Sequence, residues 1–266
     1  MSNSYVVSDS VALIGRHMTH LRRMPQKLVS VTVMPIMFVI LFGYLFGSSM
    51  QVPEGDYHEY IMAGIFVQMM LSSVINTGVG VAEDLNNGLV DRFRSLPMAQ
   101  SAVLISRTVS DLILNMISCV MMLGIGFLIG WRVDGVLQLL AGFLLLMLLG
   151  LVMAWIGTLV GLLLRHVEVV NSVTVMITMP LAFLSSTFYP SSNLPDWLRH
   201  VAEWNPVSTV VTAMREVWGN PTGNGSDPAF PLQHPVLVSV VLLSVLLALV
   251  VPLANRAYRR AVASSR

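Results

Sequence analysis

Runs of apolar residues separated by short polar breaks dominate this chain. Six are long enough to cross about 30 Å of hydrocarbon as helices, over residues 28–49, 60–82, 103–130, 136–164, 168–188 and 236–254. The third and fourth exceed the needed length, so tilt or extension past the bilayer is expected there. Before them, Val11, Ile14, Met18 and Leu21 recur at helical spacing among Arg16, His20 and Arg22, with Pro25 ahead of the first long run. That pattern predicts an interfacial helix over 11–21. A basic flank to a signal anchor is the other reading. A cleaved signal peptide is not expected, because the apolar run is too long and no small-residue cleavage site follows it closely.

The longest break, 189–235, has its own periodicity. Pro195-Asp196-Trp197-Leu198 opens a short helix ending near Trp204. Asn205 and Pro206 read as N-cap and first-turn proline of a second, in which Val207, Val210, Val211, Met214, Val217 and Trp218 form one apolar stripe. Trp197, Trp204 and Trp218 are expected at the headgroup interface. Residues 219–231 read as a flexible connector. Gly43/Gly47, Gly126/Gly130 and Gly157/Gly161 are four apart, a spacing that permits close helix approach within the chain.

Composition agrees with the pattern. Hydrophobic residues make up 55% of the chain and charged residues 11%, where a soluble domain carries about 25% charge. The chain therefore reads as an all-α polytopic membrane protein, a single transmembrane domain over 1–266. With the N-terminus placed in the cytoplasm, 12 of the 15 Lys and Arg residues fall inside, and only Arg132, Arg199 and Arg215 fall outside. The positive-inside rule then predicts both termini on the cytoplasmic side of the cell membrane. The net charge of +1 comes from basic residues sorted by membrane side, with no single patch suited to nucleic acid.

The break over 83–100 lies on the inner side in this topology. As a helix it puts Leu85, Leu89, Phe93 and Leu96 on one stripe and Asp84, Asn87, Asp91, Arg92 and Arg94 on the others, with Pro97 ending it. Asn86-Asn87-Gly88 is a turn signal, so the preceding span is expected to run past Glu83 and break there. An amphipathic surface helix and a solvated loop both satisfy this pattern. Arg107 and Asp111 lie four apart near the cytoplasmic end of the third span, able to pair with each other or with Glu83 and Asp84. They read equally as a brace and as an ordinary ion pair setting helix depth. Asn76, Thr77, Asn115, Asn171, Thr174 and Thr178 either line a path or link helices. Pro35, Pro180 and Pro252 bend spans, and a kink at Pro180 below the outer loop is a place for a gate. Met residues in the first, second and fifth spans suit a surface that accepts varied apolar shapes, or ordinary packing.

The run from Glu83 to Asp111, with its acidic residue, Gly, D-R-hydrophobic-R-S-L-P sequence and Arg and Asp four apart, resembles type-2 ATP-binding-cassette (ABC) export permeases, particularly the daunorubicin-resistance branch. The residues carrying the resemblance are Glu83, Gly88, Asp91, Arg92, Arg94, Ser95, Leu96, Pro97, Arg107 and Asp111. It implies that 83–100 is a coupling helix seated in a separate ATPase subunit, with Leu89 and Phe93 among its contacts. Arg107 and Asp111 would transmit its motion. It also implies extracellular helices over 195–218, a gate at Pro180, Asn205, Pro206, Met214 and Trp218, and assembly with a second permease and two cytoplasmic ATPases. ATP and Mg would sit on those ATPases, and the cargo would be a hydrophobic or amphipathic drug, polyketide, lipid or glycolipid.

Other chemistries find little support. Lys27 is the sole lysine and follows Gln26, so no Walker A loop exists and this chain is not itself an ATPase. The six histidines show no metal spacing, no nucleophile elbow is present, and Cys119 is alone. An ion-coupled secondary transporter would need a mid-depth carboxylate, whereas Asp111 lies near one end beside Arg107. A lipid-modifying enzyme would need clustered acids or histidines. Glu54, Asp56, His58 and Glu59 are clustered but lack ligand spacing.

Overall fold

The computed structural model describes residues 33–45, 52, 55–87, 100–224 and 228–264, and every regular element among them is helical. α1 is helical from residue 33 and widens into a π-helical stretch at Val39–Leu45. α2 (Tyr57–Asn86), α3 (Gln100–Leu128), α4 (Val136–Leu164), α5 (Val167–Phe183) and α9 (Pro235–Ser264) are the long helices. Between α5 and α9 lie α6 (Asp196–Glu203), α7 (Pro206–Trp218) and the short α8 (Phe230–Gln233).

Among the described residues, four helices are long and apolar enough to span a membrane: Tyr57–Asn86, Ser106–Leu128, Val136–Leu164 and Pro235–Arg260. Two shorter apolar helices, Val33–Gly43 and Val167–Phe183, lie where the first and fifth spans are expected. α5 stops at Phe183, five residues before the expected end, for a local reason. The Ser185 hydroxyl donates to the Ala182 carbonyl and accepts from the Thr187 N–H at 3.2 Å. Short hydroxyl side chains thus give the backbone an alternative to the helical ladder.

α2 is the buried centre. Its most extensive partner is α4, and small residues bring the two together. A Cβ on Gly157 would stand 2.5 Å from the Val74 carbonyl oxygen, and one on Gly161 2.5 Å from that of Gly78. With little hydrophobic drive between helices in lipid, this backbone proximity supplies the dispersion contact. The expected Gly157/Gly161 approach is therefore present and its partner is α2. α9 packs on α4 and α7. Its outward residues, including Leu237, Val241, Val245 and Leu249, are exposed apolar surface, as a lipid-facing helix requires.

Candidate functional site

Two polar constellations stand at the two ends of α2. At its C-terminal end, α2 runs through Glu83 to Asn86 and breaks at Asn87, as the turn signal predicts. Glu83 is exposed there. The rest of the expected coupling element, Gly88, Leu89, Asp91, Arg92, Phe93, Arg94, Leu96 and Pro97, lies outside the described residues, as does the expected N-terminal helix. Arg107 and Asp111 are described, and both reach across to α2. The Arg107 guanidinium pairs with the Asp84 carboxylate, and the Thr77 hydroxyl donates to Asp111 Oδ2 at 2.7 Å. Gly80 makes the crossing possible, since a Cβ there would run into the Arg107 guanidinium. Thr77 and Asp84 are two turns apart on α2, Arg107 and Asp111 one turn apart on α3. The result is a two-rung clamp between the helices that flank residues 88–99.

The other constellation surrounds α7. Asn205 accepts a hydrogen bond from the Val207 N–H at 2.9 Å, with Pro206 in the first turn and Gly219 in the left-handed conformation (φ 71°) closing the helix. The Asn205 amide nitrogen also donates to the carbonyls of Leu181 (2.8 Å) and Leu184 (3.0 Å). It therefore caps the last turn of α5, where carbonyls have no helical partner. Pro180 lies one turn before that end and is exposed. Met214 is fully buried.

Trp218 departs from the interfacial expectation, being 1% exposed. Its ring packs edge-on against Phe66 (5.1 Å) and Trp131 (5.0 Å) and lies on Gly142 of α4, where a Cβ would collide with it. Trp131 in turn donates from Nε1 to Asn220 Oδ1 at 3.1 Å. The α3–α4 turn and the start of the connector are thus stitched to α7, and the connector's first residues are held in place. Trp197 and Trp204 are exposed, at 72% and 63%, which suits the headgroup expectation for those two.

Sequence reading missed Arg215, which is wholly buried. Its Nε donates to the Tyr60 carbonyl (3.0 Å), and Nη2 to the carbonyls of Ser186 (2.9 Å) and Thr187 (3.3 Å). The guanidinium carbon lies 3.4 Å from the centre of the Tyr60 ring. Burial pulls its pKa below the ordinary arginine value. Among the described residues no carboxylate lies within ion-pair distance of it, so backbone dipoles and one aromatic face hold this cation. Tyr60 and Tyr57 donate to the carbonyls of Ser186 (2.8 Å) and Phe188 (2.7 Å), and the Ser186 N–H donates to the Ser208 hydroxyl (2.9 Å). Residues 185–188, α2 and α7 form one polar knot. A signal was available: Arg215 lies four after Val211 and three before Trp218, on the buried stripe.

Beneath α7 an apolar cavity of about 260 Å³ is lined by α2, α4, α5, α7 and α9, with Pro206 and Val210 contributed by α7. Thr174 and Thr178 also line it. The Thr178 hydroxyl donates to the Thr174 carbonyl (2.8 Å). No group of three or more metal-ligating side chains occurs among the described residues.

Comparison with known proteins agrees with this architecture. Residues 10–218 match the family model described as ABC-2 type transporter. The chain is 28% identical over 218 residues to the daunorubicin resistance ABC transporter permease protein DrrB1 of Streptomyces coeruleorubidus, covering 82% of this chain and 77% of that protein. It is 26% identical over 214 residues to a probable doxorubicin resistance ABC transporter permease protein, DrrC, of Mycobacterium tuberculosis (79% and 76%). It is 24% identical over 237 residues to the putative transport permease ycf38 of Cyanophora paradoxa (87% and 81%). A multi-pass helical chain matched over most of its length by one family model has a family assignment: it belongs to the ABC-2 type transporters, as a membrane permease.

Proposed function

We propose that this chain is the permease subunit of an ATP-driven exporter that moves a hydrophobic or amphipathic molecule out across the cytoplasmic membrane. It spans the bilayer six times with both termini in the cytoplasm, using α1 and α5 as the two short spans. Residues 83–100 are the foot that docks on an ATPase, two copies of which serve this chain and a second permease. The observation that carries the reading is the two-rung clamp. Thr77–Asp111 and Arg107–Asp84 lock α2 to α3 at the base of the docking segment, so a push on that segment reaches α2, the most buried helix. α2 also borders the apolar cavity below α7. Cargo would leave beneath α7, where Asn205, Pro206, Met214 and Trp218 tie that helix to the bundle and Pro180 precedes the end of α5 that Asn205 caps. The drug-resistance names of the relatives favour a drug-like or polyketide cargo, with lipid or glycolipid the neighbouring choice. An ion-coupled mechanism is disfavoured by the position of Asp111, engaged with Thr77 toward the α2 C-terminus.

Arg92→Glu combined with Arg94→Glu tests docking. Co-purification of the ATPase should be lost while membrane insertion stays intact. Unchanged co-purification would remove the docking role from this segment.

A further inference from the structure

A second cavity, of about 230 Å³, opens between α1, α2 and α3, lined by none of the residues of the apolar cavity or of the clamp. One wall is apolar and comes from α1, with Met34 and Phe38. The other is polar. Gln68, Ser72 and Asn76 are four apart on one face of α2, and Asn115 joins them from α3. Gln68 and Ser72 fall near the middle of the 30-residue α2, hence near the bilayer centre, where polar side chains are costly and tend to be paired or to face a cavity. Two are not paired. Gln68 Oε1 and Asn115 Nδ2 are buried without a hydrogen-bond partner, although Asn115 is only 7% exposed. The Ser72 hydroxyl donates to the Gln68 carbonyl at 3.0 Å and keeps its own lone pairs free to accept. An unmet acceptor, an unmet donor and, among the described lining residues, no ionisable group make a hydrogen-bonding site for a neutral partner.

We infer that this cavity binds the uncharged polar end of an amphipathic molecule, a hydroxyl- or amide-bearing group lying between the α2–α3 polar stripe and the apolar α1 wall. The inference rests on the exporter reading and narrows its cargo. The cavity is below the roughly 300 Å³ at which drug-sized sites begin, so it takes the polar end only, with the apolar body left among α1 and lipid. A headgroup bearing a full charge would meet no counter-charge among the described lining residues.

The test uses the purified full-length chain in phosphatidylcholine nanodiscs with two photoreactive probes, a diacylglycerol and the phosphatidic acid carrying the same acyl chains. Without an ATPase present, the result is independent of docking: failed labelling with intact ATPase co-purification would remove this site and leave the exporter reading standing. The diacylglycerol should label α1–α3 peptides at least tenfold more than the phosphatidic acid. Gln68→Leu, which deletes the unmet acceptor, should lower that labelling about tenfold. Met34→Trp, at a position 55% exposed on α1, fills the cavity from its rim without disturbing a buried group and should lower it likewise, deciding the matter should Gln68→Leu not fold. Equal labelling by the two probes, or labelling unchanged by Met34→Trp, would overturn the site. So would efficient disulfide linkage between copies of a Met34→Cys variant, because Cys119 is buried and is the only native thiol, and the cavity would then be a seam between permeases.

Discussion

The two ends of α2 are tied down by opposite means. Around α7, Arg215 is wholly buried and reaches three carbonyls on two segments, while Trp218, Trp131 and Phe66 fill the space beside it. At the α2–α3 end, Thr77 of one rung is buried, but the ion pair that forms the other joins side chains that remain partly open, 19% exposed for Arg107 and 36% for Asp84. A buried cation held by backbone dipoles is costly to disturb, because a desolvated partner such as the Thr187 carbonyl would be left unmet. A half-open ion pair can be broken and remade at small cost, since water replaces each partner. The α7 end is therefore built to stay assembled and the clamp end to move, which is the arrangement needed where force enters at one end and a route is held at the other.

The largest expected effect breaks the rigid end. Arg215→Ala removes three hydrogen bonds, strands the Thr187 carbonyl in a buried turn and leaves the Ser186 carbonyl to Tyr60 alone, a cost of about 3 kcal/mol. Thermal unfolding in detergent should show a large fall in midpoint, and Arg215→Lys should recover only part of it because one ammonium cannot reproduce the planar fork. If Arg215→Ala unfolds like wild type, the contrast between the two ends is lost.

Next in size is the seam between α2 and α4. Gly157→Val places a branched side chain against the Val74 carbonyl, which is backbone and cannot swing aside, so the helices must separate at about 2 kcal/mol. Gly124, whose added Cβ would meet nothing within 4 Å, provides the control. Gly124→Ala should leave the unfolding midpoint unchanged or slightly higher, since alanine is the better helix former.

How far the chain could be read in advance follows the same division. The helices were legible because their signals are local: apolar runs of span length, the Asn205-Pro206 start of α7, the Asn86-Asn87 break after α2. The rungs of the clamp were legible in part, because Arg107 and Asp111 are polar residues inside an apolar stretch and Asp84 stood among their expected partners, but the pairing of Asp111 with Thr77 was set by helix packing. Arg215 entered the sequence reading only as one of three basic residues on the outer side, with nothing read from its place on the stripe of α7. What buries it is the Tyr60 carbonyl 155 residues earlier and a turn at 185–188, neither of which leaves a trace near residue 215. Trp218 shows the same limit. An indole suits an interface, but Gly142 leaves a niche for it in the core, and no local pattern announces that niche.

The smallest effect on stability is expected at the clamp, and it sharpens the comparison most. Asp84→Asn removes the charge facing Arg107 while keeping the side chain's shape, and for a pair this open the loss should stay below about 1 kcal/mol. The unfolding midpoint and co-purification with the ATPase should both remain near wild type. Transport per ATP hydrolysed, measured in proteoliposomes holding permease and ATPase together, should fall severalfold, because the foot can then move without carrying α2. Exchanging the charges, Asp84→Arg with Arg107→Asp, should restore part of the coupling if the link itself is what matters. A coupling ratio unchanged by Asp84→Asn would reduce Arg107 and Asp84 to a helix-depth anchor, and the difference between the two ends of α2 would be one of packing alone.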